Sequence, residues 1–212
     1  MSGHVSNMFA VGVINSVTRR MINASPIFVG LLTDPQNEFV ARNYRDGWIP
    51  AERIDNFRRC AREELPRRRD LEVLKKIPEK SIKRAFAELL REGRVPKDWA
   101  GETSDLFTDK VRINRKRVTA AFLLKGPAKF HEMRLPDLGA QGNQIDRLFR
   151  EPAQLLVLQH CHYVHTDVRN MMVAYANQVG NMRQFAIIDG AETLRILRAY
   201  KKCGQRPHRF KK

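Results

Sequence analysis

Arg117-Val118-Thr119-Ala120-Ala121-Phe122-Leu123-Leu124-Lys125-Gly126-Pro127 is an apolar run that ends in a lysine. β-Branched and large apolar residues fill its middle and Gly126-Pro127 stops it, which predicts a buried strand. Side chains alternate between faces along a strand. Phe122 and Leu124 therefore share one face, and Ala121, Leu123 and Lys125 share the other. An ammonium at the end of a buried strand is costly unless it reaches water, a carboxylate or an anion. Lys125 either snorkels out from the sheet edge or points at a bound phosphate.

The neighbouring segments supply a scaffold for this strand. Upstream, residues 79–92 predict a helix with Ile82, Phe86 and Leu89 on one face and Gly93 as its stop. Residues 100–108 read as a weak strand with turn residues, and 111–114 as a hairpin element. Downstream come a short helix over 143–150, a buried strand over 155–160, a helix capped by Thr166 and a strand over 185–188. Asp189-Gly190 then turns the chain into a last helix ending near Tyr200. Hairpin-linked strands followed by strand–helix–strand crossovers predict an α/β fold with a mixed central sheet flanked by helices.

The N-terminal third reads differently. Phe9, Val13, Val17 and Met21 recur at spacings of four, which fits a helix over 6–22. Residues 26–32 read as a short strand or buried loop. Asp34-Pro35 has the form of a helix start. Ile54, Phe57, Ala61 and Leu65 fit a second amphipathic helix over 51–65, closed by Pro66. These signals divide the chain into a basic, mainly helical region 1–75, an α/β domain 76–200 and a basic tail 201–212, with the boundary near 66–78.

Lys and Arg number 39 against 23 Asp and Glu, a formal charge of +16. Such an excess predicts a polyanionic partner, with nucleic acid, and DNA first, as the leading candidate. Arg67, Arg68, Arg69, Lys75 and Lys76 are candidate phosphate contacts, and the tail is a candidate phosphate-binding arm. Cys60, Cys161 and Cys203 are odd in number and widely spaced, which favours a reducing compartment, and the cytoplasm is the expected location. No apolar run approaches a membrane span. Region 1–75 is a candidate surface for a partner subunit or a second copy. No nucleotide-binding glycine loop or serine-nucleophile elbow is present.

Two constellations carry chemistry. Asp105 ends Gly101-Glu102-Thr103-Ser104-Asp105, next to the strand that leads to Lys125. A carboxylate suits a hard divalent cation, and a lysine beside it would steady a phosphate or orient a water. A turn aspartate and an edge lysine would give the same pattern. His160 and His162, followed by His165, end the strand 155–160. A His-x-His pair suits zinc, while polar groups at the carboxyl end of a strand suit substrate or nucleic acid.

The order of Ser104-Asp105-Leu106-Phe107, Leu123-Leu124-Lys125, Gln144-Ile145-Asp146 and Ile187-Ile188-Asp189-Gly190-Ala191-Glu192-Thr193-Leu194 resembles the restriction-endonuclease-like nuclease superfamily. The Mrr-like branch of that superfamily, with its PD…(D/E)xK site, looks nearest. The resemblance covers residues 79–200. It implies a Mg²⁺- or Mn²⁺-dependent DNA endonuclease in genome defence or DNA processing. Asp105 would be a metal ligand, Lys125 would steady the attacking water, and Gln144 would position the group. The middle acidic position falls on Leu123, which binds no metal. Glu102 or Glu132 would have to supply the second carboxylate. Otherwise the fold binds nucleic acid, or serves in an assembly, without cutting.

Overall fold

The computed structural model describes residues 8–31, 47–93, 103–139, 143–178 and 181–207. The chain divides into two compact units, residues 1–45 and 46–212. In the first unit, β1 (Met8–Val17) and β2 (Ile22–Leu31) form an antiparallel hairpin. The expected helix over 6–22 is thus corrected: its described part is the strand β1 and the turn that leads into β2, while residues 6–7 lie outside the described residues. A spacing of four is even, so Phe9, Val13 and Val17 satisfy the alternation of a strand as well as the turn of a helix. The β-branched Val11, Val13, Ile14 and Val17 decide between the two, since they lose rotamer freedom in a helix and pack well in a sheet. Of residues 26–32, read as a short strand or buried loop, 26–31 lie in β2 and residue 32 lies outside the described residues. Pro26 lies opposite Gly12 at a shift of register, a place where a strand accepts a residue without an N–H. The helix start at Asp34-Pro35 lies outside the described residues.

In the second unit Ala51, Ile54, Phe57 and Cys60 are all buried. Their spacing of three is the period of a 3₁₀ helix. Short 3₁₀ turns at Ala51–Arg53 and Arg58–Arg62 stand where one α-helix over 51–65 was expected. Ala61 and Leu65, assigned to the inward stripe, are exposed. Leu71, Leu74 of α1 (Glu72–Lys75) and Ile77 join the same core as the sheet. The boundary expected near 66–78 therefore falls inside this unit.

The sheet runs β3 (Leu106–Ile113), β4 (Lys116–Leu124), β5 (Leu155–Gln159), β6 (Gln184–Ile188), in that spatial order. β3 and β4 are antiparallel. Their two-residue turn, Asn114-Arg115, has φ of 51° and 66°, the positive values such hairpin turns need. β4, β5 and β6 are parallel, and α3 (Asn143–Arg150) and α4 (Thr166–Ala176) make the two crossovers. α2 (Glu79–Leu89) precedes the sheet and α5 (Gly190–Ala199) follows it. The cap of α4 is His165 rather than Thr166, its ring accepting from the Asp167 N–H. α2 stops at Arg91, with φ of 58°, two residues before the expected Gly93.

The alternation read in residues 117–125 sets the layers. Ala120, Phe122 and Leu124 face a core shared with Ile82 and Phe86 of α2 and Leu194 and Leu197 of α5. Ala121 and Leu123 face a second core with Ile145 and Leu148 of α3 and Val168 and Met172 of α4. The unit is thus an α/β fold with a mixed sheet flanked by helices. Among the described residues no helix is long and apolar enough to cross a membrane. Phe122 is 0% exposed on an interior strand. Phe122→Ala should lower unfolding free energy by about 3–5 kcal/mol in urea titrations. A cost under about 1 kcal/mol would contradict this packing.

Candidate functional site

The parallel strands end level with one another, since Leu124 pairs with Gln159 and Gln159 with Ile188. The residues that follow, Lys125, His160 and Asp189, therefore line one edge of the sheet. Backbone bonds continue the ladder there: Lys125 N–H to Gln159 O at 3.1 Å and His160 N–H to Ile188 O at 2.9 Å. β3 runs the other way, so Asp105, just before it, lies at the same edge. Its N–H donates to Phe122 O at 2.8 Å. The carboxyl edge of parallel strands is where open α/β sheets bind ligands.

Asp105 is held from two sides. Its Oδ2 accepts from the Leu124 N–H at 2.6 Å, and its Oδ1 accepts from Lys83 Nζ at 2.9 Å. Lys83 also reaches Glu79 Oε1 at 3.0 Å, one helical turn away. Among the described residues, this one ammonium, 8% exposed at the side chain, is shared by carboxylates from two elements. Lys125, partly buried, is within range of their charges. Burial pushes its pKa down, while the negative charges of Asp105 and then Glu79 pull it up, and Lys83 and Lys129 push it down again. Gly126 makes room for this cluster, because a Cβ there would collide with the Glu79 side chain.

The other residues singled out in sequence have separate places. Glu102 lies outside the described residues. Glu132 pairs with Arg134 at 3.5 Å, and its charge acts on His162. Gln144, in the first turn of α3, has a buried Oε1 without a partner and makes no hydrogen bond to Asp105, Lys83 or Lys125. Arg68 acts electrostatically on His162. Lys75 sits 6.0 Å from the centre of the Phe130 ring, which meets the His162 ring edge-on at 5.2 Å. Arg67 and Arg69 flank Arg68 on the surface, Arg69 4.0 Å from Asp70, and Lys76 is exposed. The start of the tail is pinned by Lys202 to Glu88 at 2.6 Å.

The histidines do not form a strand-face pair, because β5 stops at Gln159. His160 donates from Nε2 to His131 O at 2.9 Å, leaving its Nδ1 buried without a partner. His162 packs between Phe130 and Tyr163. His165 caps α4. Among the described residues, His, Cys, Asp and Glu ligand atoms cluster in threes only at Glu52, Cys60 and Glu192. There burial pushes the Cys60 thiol up to about 12 and Arg195 binds Glu192 at 2.8 Å, so the group favours protons and a guanidinium over a metal.

No family model, curated protein or solved structure matches this chain. What the site can do therefore rests on its own residues.

Glu79 and Lys83 were missed in sequence. A signal existed: Lys83, Phe86, Ala87 and Leu90 fall on one buried stripe, so a lysine occupies an inward position of α2. An inward lysine needs an anionic partner.

Burial is also the first cause that lowers the pKa of His160 and of His162 below 6.5. The unfolded chain takes up protons at these positions first as pH falls, so stability should decline below pH 6.5 and recover above it. The slope for each histidine is at most about 1.4 kcal/mol per pH unit. Melting curves across this range should show a shallower decline in His160→Asn, and an unchanged slope would contradict the buried neutral ring.

Proposed function

We propose that this chain binds nucleic acid, with DNA first, and hydrolyses its phosphodiester bonds with the help of Mg²⁺ or Mn²⁺. The observation that carries the proposal is the Lys83 ammonium shared by Glu79 and Asp105, whose charges act on the partly buried Lys125. Two carboxylates gathered round one cation fit the hard-oxygen donors a small divalent ion takes. Glu79 and Asp105 would hold such an ion, which would lower the pKa of a bound water and offset phosphate charge. Glu79 then does what Glu102 or Glu132 was expected to do in place of Leu123.

The chain's own groups divide the remaining work. The Leu124 N–H fixes the orientation of the Asp105 carboxylate. Lys125 has lost much of its hydration to burial, so a phosphate oxygen gains more from its ammonium there than in water. Among the described residues, the carboxylates of Glu79 and Asp105 face the ammoniums of Lys83 and Lys125, and a phosphodiester would offset part of an added divalent charge. The excess of Lys and Arg holds the backbone and makes binding salt-dependent. The mixed sheet with helices on both faces supports the resemblance to restriction-endonuclease-like, Mrr-like nucleases.

A second reading has its own observation. Leu123 is 6% exposed and packs in the second core, and Lys83 already supplies the cation between the carboxylates. Both favour a nuclease-like fold that binds without cutting.

Supercoiled plasmid incubated with Mg²⁺ or Mn²⁺ separates the two. The proposal predicts nicking that falls by about 100-fold or more in Asp105→Ala and in Lys125→Ala. Cleavage that survives both substitutions removes this site from the chemistry. Retained binding with no cleavage in either metal selects the second reading.

A further inference from the structure

A second concave feature lies at the far end of β4. It is a cleft of about 560 Å³, bounded by the 3₁₀ turn at Arg58–Arg62, the end of α2, the β3–β4 hairpin and Tyr200. Six cationic side chains line it: Arg58, Arg59, Arg91, Lys110, Arg112 and Arg117. Its two carboxylates are engaged elsewhere. Glu88 binds Lys202 at 2.6 Å and Arg84 at 3.2 Å, and Asp55 accepts from the Arg115 N–H at 2.7 Å. Lys110 is paired with Glu92. Among the described residues, no carboxylate pairs with the guanidinium groups of Arg58, Arg91 or Arg112. Three unpaired like charges around one concavity repel each other, and an anion placed among them relieves that repulsion.

The backbone adds an independent observation. Arg91 ends α2 in the left-handed region, with φ of 58°, while Arg91 N–H donates to Glu88 O and Glu92 N–H to Ala87 O. That is the helix-ending motif in which glycine serves best. An arginine placed there carries its guanidinium to the rim of the cleft against the local backbone preference, and such outliers gather at ligand sites. Tyr200 also lines the cleft, with the Arg59 guanidinium over its ring at 5.4 Å from the centre.

We propose that this cleft holds the sugar–phosphate backbone of a single-stranded nucleic acid, with phosphates on Arg58, Arg91 and Arg112. The proposal rests on the nucleic-acid reading of the chain and adds to it a binding site away from the Asp105 cluster. Its volume lies in the range of sites that enclose a flexible ligand. A duplex carries its phosphates on a stiff convex cylinder and bridges such a cleft, whereas a single strand bends into it. Basic grooves with an aromatic wall are the form that single-strand binding takes.

The test is fluorescence anisotropy on the full chain, with labelled oligothymidine of about 20 nucleotides and a duplex of equal length, across about 50 to 200 mM salt. The triple variant Arg58→Ala/Arg91→Ala/Arg112→Ala should bind the single strand at least about tenfold more weakly, with the salt slope reduced by about 2. Arg91→Gly keeps the helix end in a conformation glycine adopts freely, so it should melt no lower than the parent yet bind the single strand more weakly. If the parent binds the single strand and both variants bind it equally well, the cleft is wrong while the nucleic-acid reading stands. If the parent prefers the duplex, the single-strand assignment is overturned. If it binds neither, both readings fall together.

Discussion

One buried ammonium joins the parts on which the proposed activity depends. Lys83 leaves α2 on its inward stripe and meets Glu79 from its own helix and Asp105 from the start of β3. A charge so little exposed stays folded only while its partners stay in place, and removing one member of such a group costs about 3–5 kcal/mol when fully buried. Glu79 is 42% exposed at its side chain, so its share of that cost is smaller than Asp105's. The interaction fixes where the N-terminal turn of α2 sits against the strand edge. It also explains Gly126, whose missing side chain is the space that Glu79 fills. The same ammonium makes the site ambivalent, since it supplies the counter-charge that a divalent cation would otherwise provide.

Helix α2 connects the two candidate sites. It begins with Glu79 and Lys83 at the carboxyl edge of the sheet and ends with Arg91 at the basic cleft. Twelve residues separate Glu79 from Arg91, about 18 Å at the helical rise. Arg117 and Lys125 stand eight residues apart along β4 and just past its end, about 26 Å at the rise of a strand. A single strand of several nucleotides is long enough to reach from the cleft to the cluster. On the proposed reading the cleft would supply affinity and the cluster chemistry, so each could be altered without the other.

Much of the sheet was legible because its signals are local. The run through Phe122 and Leu124 alternates cleanly, and its two faces became two core layers. Residues 143–150 and 185–188 also folded as their patterns indicate, the strand beginning one residue earlier at Gln184. The failures have physical causes. Phe9, Val13 and Val17 carry a spacing common to helix and strand, and only β-branching told them apart. The helical stripe read through Ile54, Phe57, Ala61 and Leu65 hid the period of three that buries Ala51, Ile54, Phe57 and Cys60. The candidate site was half legible. Asp105 and Lys125 stood out in the sequence because each borders a strand. Glu79 and Lys83 were missed because their link to Asp105 spans a long stretch of chain, and nothing local shows where a remote carboxylate will land. Glu132 was one of two candidates for the second carboxylate, yet it pairs with Arg134 and its charge acts on His162.

The most direct measurement is anomalous scattering from crystals of the full chain grown with Mn²⁺. The account predicts a manganese peak within bonding distance of both the Glu79 and Asp105 carboxylates, with the Lys83 ammonium withdrawn from between them. Crystals in which Lys83 keeps its ion pairs to Glu79 and Asp105 and no peak lies at that edge of the sheet would contradict metal-dependent hydrolysis at this site.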